Sequence, residues 1–323
     1  MESGRLRHFL AVAEHGGFTA AAQAVYVSQP ALSLAVRELE SELGAALFTR
    51  RGRTVRLTAA GEALVGPARQ VLRDLETGQA AVAAVVGLSA GNLTLASLPT
   101  LVADPLAPLV GTFRSHFGGI RIDLAAPEDA SELIEMVISG SSELGVTEDH
   151  AIPDALVSHG LGQQKLVLIL PPGSPHADGD PVGLPELGDI PFVVAPPGTS
   201  TSRLLMEALA ALDRSPEVAV VTAQRDAIVP LVVAGAGAAL VPESLALSAG
   251  ASGAVLARPE PPIVRSLTLV HRQGSLSPAA DRFVAMATTV SHQFNRRSSR
   301  TRSAGPERLG HGETDVLAPG VPI

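Results

Sequence analysis

Residues 5–61 read RLRHFLAVAEHGGFTAAAQAVYVSQPALSLAVRELESELGAALFTRRGRTVRLTAAG. Leu6, Phe9, Leu10 and Ala13 recur at helical spacing, so a helix is expected over 5–15, ended by Gly16-Gly17. Thr19 is placed to cap a second helix that continues through Val25. Ser28 then caps a third, and Pro30 fits its first turn because the N–H it lacks has no helical partner there. At about 100° per residue, Leu32, Val36, Leu39 and Leu43 share one face of this helix, and Pro30, Ser33, Leu34 and Arg37 the other. The first face packs into a small core and the second is left free. Gly44 ends the helix, and Leu47-Phe48 and Val55-Arg56-Leu57 flank Arg50-Arg51-Gly52-Arg53-Thr54, a turn that closes a basic hairpin. This is the layout of a winged helix-turn-helix, which lays one helix in the major groove of DNA.

The net charge of −8 over 323 residues opposes a polyanionic partner unless the cations are segregated. Residues 1–91 carry a net +1, residues 92–293 a net −11 and residues 294–323 a net +2. Within 45–73 there are 6 arginines and one acid, Glu62. One DNA-facing module and one acidic module with a different task are therefore expected.

The absence of cysteine excludes disulfides, thiolate metal sites and thiol redox sensing. No apolar run reaches the ~18 residues of a membrane span, and Met-Glu-Ser-Gly-Arg lacks the features of a secretion signal. A cytoplasmic location is expected, with no membrane partner. Gly87-Leu88-Ser89-Ala90-Gly91 matches the string of a nucleophile elbow, but a helix precedes it and a strand follows, the reverse of what that chemistry needs. Gly235-Ala236-Gly237 lacks the third glycine of a dinucleotide loop. His8 and His15 have no third ligand nearby. No enzyme activity, metal or cofactor is expected.

Thr58 is placed to cap a long helix reaching about residue 86, with Leu64, Ala68, Val71, Leu75, Val82 and Val85 in a heptad-like stripe that Gly78 completes. A stripe of that length reads as a dimerisation surface. Pro67 should bend the helix by removing the bond to the Ala63 carbonyl. Beyond a hinge at 87–91, strand-like stretches (92–96, 120–125, 144–147, 165–170, 191–195, 217–221, 238–241, 267–271) alternate with helical ones (102–116, 130–139, 201–212, 227–234, 278–294). That alternation indicates an α/β domain with mostly parallel sheets. The expected division is a DNA-binding head over 1–58, a linker helix over 59–87, an α/β domain over 92–294 and a disordered tail over 295–323, rich in Arg, Ser, Gly and Pro.

The opening stretch, LVVAGAGAALVPESLA at 231–246 and SPAADRF at 277–283 together resemble the LysR-type transcriptional regulators, over about residues 4–294. The resemblance implies a winged helix-turn-helix, a linker helix and a two-lobed α/β effector domain like type 2 periplasmic binding proteins. It implies sequence-specific binding to double-stranded operator DNA under control of a small-molecule effector. It also implies a dimer through linker helices, commonly a dimer of dimers, and RNA polymerase as a partner of an activator. The DNA-facing residues would be Ser28, Gln29, Pro30, Ser33, Leu34 and Arg37 on the third helix and Arg53 on the wing, with Arg50 and Arg51 serving the DNA backbone. Leu34 stands where the family often has Arg, Gln or Lys. The effector would lie between the lobes against Ser97, Thr100, Thr147, Thr199, Ser200 and Thr201. Glu128 and Asp129 beside that cleft disfavour an anion unless Arg225 or another base offsets them, so the effector's charge stays open.

Overall fold

The computed structural model describes residues 1–51, 54–85, 91–176, 178–187, 190–213 and 216–303. Arg53, residues 87–90 of the expected hinge and the segment beyond 303 lie outside the described residues, as do the side chains of Arg50 and Arg51.

The head is built from α1 (Ser3–His15), α2 (Phe18–Ala24) and α3 (Gln29–Leu43), followed by the hairpin β1 (Phe48–Arg51) and β2 (Thr54–Leu57). Leu6, Phe9 and Leu39 meet Leu47 in one core cluster. Val12, Ala21, Ala22, Leu32 and Val36 form a second. Phe48 from the hairpin sits 5.5 Å from Phe9 and 5.8 Å from Phe18, so the wing is pinned by aromatic contact. The second helix begins at Phe18 with Gly17 as its cap, so Thr19 lies inside the first turn and does not cap it.

The linker helix α4 (Ala59–Val85) follows, with Pro67 inside it. Thr58 caps it as expected, its Oγ1 accepting from the Gly61 N–H at 3.0 Å. The stripe on α4 divides. Ala68 is buried and Leu64 partly buried against the head, whereas Val71, Leu75 and Val82 are exposed.

The remainder comprises β3 (Gly91–Ser97), α5 (Pro99–Leu101), α6 (Ala107–His116), β4 (Ile120–Ala125), α7 (Ala130–Ser139), β5 (Leu144–Glu148), β6 (Leu156–Leu170), β7 (Asp180–Gly183), β8 (Phe192–Val194), α8 (Ser200–Ala210), β9 (Val218–Val221), α9 (Arg225–Val233), β10 (Ala239–Pro242), α10 (Glu243–Ala251), β11 (Val255–Glu260), β12 (Ile263–Arg272) and α11 (Pro278–Ser303). A long sheet runs β4-β3-β5-β12-β6-β11-β7, with β10 also on β6, and β8-β9 form a separate pair. It is mixed rather than mostly parallel: β3 pairs with β4 and β5 in parallel, but β12 is antiparallel to both β5 and β6, and β10 and β11 are antiparallel to β6.

The antiparallel pairings arise because β6 and β12 cross between two lobes. β6 begins in the core of the first lobe with Leu156 and Leu161 and ends in the second with Leu166, Leu168 and Leu170. In that second half its side chains alternate, Val167 and Ile169 facing a different cluster with α9 and α10. The sequence pattern revealed only 165–170, because Gly160, Gly162, Gln163 and Gln164 interrupt the apolar signal.

The stretch expected as one helix over 102–116 is broken. Asp104 is extended (φ −152°, ψ 119°) within a π-helical turn, and α6 starts only at Ala107. Pro105 explains this, since its ring disfavours a helical conformation in the residue before it. At the other end, α11 continues to Ser303, so residues 295–303 are helical rather than disordered. No glycine or proline interrupts 295–303, and Arg is a good helix former.

Candidate nucleic-acid interface and effector cleft

On the head, Ser28 is the N-cap of α3 and its Oγ accepts from the Ala31 N–H at 3.3 Å. Gln29, Pro30, Leu34 and Arg37 are exposed beyond it. Ser33 is not on this open face: it is buried, and its Oγ has no hydrogen-bond partner. At ~100° from Leu32 it stands at the border of the apolar stripe. The Arg37 Nε also reaches back to the Ser33 carbonyl at 3.3 Å. Leu43, assigned to the inner face, is exposed at the end of the helix.

One side chain sets the wing against α3 and another closes its base. Glu40 accepts from the N–H groups of Leu47 and Phe48 at 2.8 and 3.2 Å. Thr58 donates to the Ala46 carbonyl at 2.7 Å. Arg5 lies 3.2 Å from Glu38 and 3.2 Å from Glu42, and the N-terminal amine also pairs with Glu42. These cations offset acids that would otherwise repel phosphate from the helix.

The cleft between the lobes is lined by Leu98, Thr100, Glu128, Asp129 and Glu148 on one side and by Thr199, Ser200, Thr201 and Arg225 on the other. Thr100, Thr199, Ser200 and Thr201 therefore meet there as expected. Ser97 and Thr147 do not line it. Both are fully buried in the sheet, Ser97 donating to the Leu98 carbonyl and Thr147 without a partner.

The cleft is closed by a clamp. Arg265, on the crossing strand β12, is 3 % exposed. It donates to Ser200 Oγ at 2.8 Å, to Thr100 Oγ1 at 3.0 Å and to Gln164 Oε1 at 2.9 and 2.5 Å. Ser200 in turn donates to Glu148 at 2.7 Å, which also receives Arg203 at 2.7 Å. Gln164 is fixed by the Asp104 carbonyl at 2.7 Å, which the break before Pro105 leaves without a helical partner. Burial lowers the pKa of Arg265 to about 10, with the Glu148 charge working against that shift, so Arg265 remains a cation at neutral pH. The free interior volume is about 10 Å³, room for roughly one water.

Residue-type reasoning missed Glu148, Gln164 and Arg265. One signal was there: Ile263, Arg265 and Leu267 alternate along β12, which places an arginine on an apolar face.

The two helix starts at the cleft differ. At α7 the Asp129 carboxylate accepts from the Glu132 N–H at 2.9 Å, and Glu132 accepts from the Glu128 N–H at 2.8 Å. Asp129 thus caps its own helix, so one of the two acids is already in use. At α8 no side chain caps the first turn, because the Thr199 hydroxyl donates to the Pro196 carbonyl instead. Arg225 faces the same space with buried Nε and Nη1 that have no partner. Burial lowers its pKa and the charge of Glu128 opposes that shift.

Residues 4–62 match the family described as bacterial regulatory helix-turn-helix proteins of the lysR family, and residues 86–291 match the LysR substrate binding domain. The chain is 30% identical over 250 residues to the uncharacterized HTH-type transcriptional regulator YnfL of Escherichia coli (strain K12), covering 76% of this chain and 83% of that one. It is 30% identical over 286 residues to the RuBisCO operon transcriptional regulator of Allochromatium vinosum, covering 86% and 93%. Among solved structures, the LysR family regulator CbnR shares its fold with a TM-score of 0.64 at 24% identity, over 90% of this chain and 99% of that one. CbnR complexed with its target DNA matches with a TM-score of 0.53 at 24% identity, over 90% and 100%. The chain belongs to the LysR family: it is a DNA-binding transcription regulator with an effector-binding domain, not an enzyme.

Proposed function

We propose that the effector is a small anion, such as a carboxylate, held in the cleft between the uncapped start of α8 and Arg225, with Thr100, Thr199, Ser200 and Thr201 around it. The carrying observation is the pair of unpartnered buried N–H donors on Arg225 beside a helix start that no side chain caps. Both favour negative charge. The acid at the opposing helix start, Asp129, is engaged in capping its own helix. Ligand entry displaces the clamp around Ser200 and shifts the balance between closed and open lobes, to the extent that it binds one of them better.

Ser28, Gln29, Pro30, Leu34 and Arg37, with Arg50, Arg51 and Arg53 of the wing, meet operator DNA. Two chains join through the exposed Val71, Leu75 and Val82 of α4, and two such dimers pair on the operator. The protein works in the cytoplasm, where an activator's further partner is RNA polymerase. No helix among the described residues is long and apolar enough to cross a membrane.

A thermal-shift screen of small carboxylates, phosphates, neutral sugars and amines tests the effector class. A ligand at 100 times its Kd adds about 2.7 kcal/mol of stability. Shifts from anions that vanish in Arg225→Ala support the reading. Shifts from amines alone overturn it.

A further inference from the structure

Tyr26 is the only tyrosine, and the chain has no tryptophan. It occupies the turn between α2 and α3. The Tyr26 N–H bonds the Gln23 carbonyl at 3.3 Å and the Val27 N–H bonds the Ala22 carbonyl at 3.0 Å. These two bonds close a helix end whose turning residue must be left-handed, a place filled mostly by glycine. Tyr26 accordingly has φ 57°, in the region that a bulky side chain disfavours. No packing offsets this strain, because Tyr26 is 96 % exposed. Val25 and Val27 on either side turn into the head core, so the turn holds the ring outward. It stands three residues before Gln29, beside the start of the helix on which Gln29, Pro30, Leu34 and Arg37 are exposed. Strain retained at an exposed aromatic, where glycine would be free of it, points to use.

We propose that Tyr26 is a DNA-backbone contact: its phenol O–H donates to a phosphate oxygen beside the N-terminus of α3. Helix-turn-helix modules read base edges with the first residues of the recognition helix. A side chain on the turn before that helix stands at the groove edge, where phosphates lie. Tyrosine hydroxyls are among the donors that bind phosphate and fix register without reading sequence.

The test uses the full chain with two duplexes of equal length, its own upstream region and a random sequence. Tyr26→Phe should bind both about five- to ten-fold more weakly. The slope of affinity against salt should not change, because a neutral phenol displaces no counterion. Tyr26→Gly should lose at least as much affinity while its thermal stability holds or rises, since glycine relieves the strain. Tyrosine emission reports on this one residue, and acrylamide quenching of it should fall when either duplex binds. Wild-type affinity in both variants overturns the proposal, as does quenching unchanged by DNA. A loss confined to the upstream duplex makes Tyr26 a base contact and overturns it too. Lowered thermal stability in Tyr26→Gly makes the residue structural and overturns it as well.

Discussion

The head and the cleft are built in opposite ways. The head assembles from one contiguous stretch, and its reading surface comes from a single helix with its cap, its apolar stripe and its C-terminal glycine. The cleft draws Thr100, Glu128, Glu148, Gln164, Ser200, Arg225 and Arg265 from six elements and one break between them. The first surface follows from local chemistry, the second from a topology in which two strands cross between lobes. The head is open, with Gln29, Pro30, Leu34 and Arg37 exposed on α3. The cleft is shut, its cations satisfied by the chain itself except at Arg225.

The largest effect is expected where that self-satisfaction is removed. Arg265→Ala leaves Glu148 buried with less compensation and strips Gln164, Ser200 and Thr100 of their donor. Removing one member of a buried charged network costs about 3–5 kcal/mol. Urea unfolding followed by circular dichroism should show that loss, while the Tyr26 emission of the folded head keeps its wild-type value. A loss under 1 kcal/mol would mean that the clamp does not hold the lobes. Leu75→Glu tests what joins the head to its neighbour. Leu75 is 46 % exposed in the single chain, so a charge there leaves the fold intact. In a dimer it buries two like charges, which costs several kcal/mol of association. Sedimentation should show monomers, and an unchanged profile would remove α4 from the dimer interface.

The same contrast explains what was legible in the sequence. Ser28, Gly44 and Thr58 act at the places their types suggest, because capping is decided within four residues. Helical angle alone cannot say which side the border position Ser33 takes once Arg37 folds back over it. In the cleft the hydroxyls Thr100, Thr199, Ser200 and Thr201 follow from resemblance of position, whereas Ser97 and Thr147 turn into the sheet, since successive strand residues face opposite sides. Arg265 meets Thr100 across 165 residues of sequence. No spacing rule spans that distance.

A smaller effect separates the two regions by salt. Arg37→Ala removes an exposed cation from α3 and should weaken DNA binding by about 1–3 kcal/mol and lower the salt slope by about 1. Its fold stability should stay within ~0.5 kcal/mol of wild type, since the side chain is exposed. Affinity equal to wild type at every salt concentration from 50 to 200 mM would take Arg37 out of the interface.

The smallest effect concerns a second pin between the crossing strands. His159 on β6 and His271 on β12 lie with their Nε2 atoms 3.0 Å apart, and His271 Nδ1 sits 2.6 Å from the Arg272 carbonyl. With Nδ1 donating to that carbonyl, His271 Nε2 is left as an acceptor for the His159 Nε2–H. Burial, and then the proximity of His271, hold the pKa of His159 below its ordinary 6.5. A histidine depressed in the folded state binds fewer protons there than when unfolded. Its stabilisation is therefore complete above pH ~6.5 and is lost as pH falls below that value. Urea midpoints should drop between pH 7.5 and 5.5, and the drop should be smaller in His159→Gln, which keeps a donor but no titrating ring. Since the pair joins the strands that also carry Gln164 and Arg265, acid should loosen the lobes while leaving the head's affinity for DNA unchanged at fixed salt. Equal pH slopes in wild type and variant would assign the acid sensitivity to other groups.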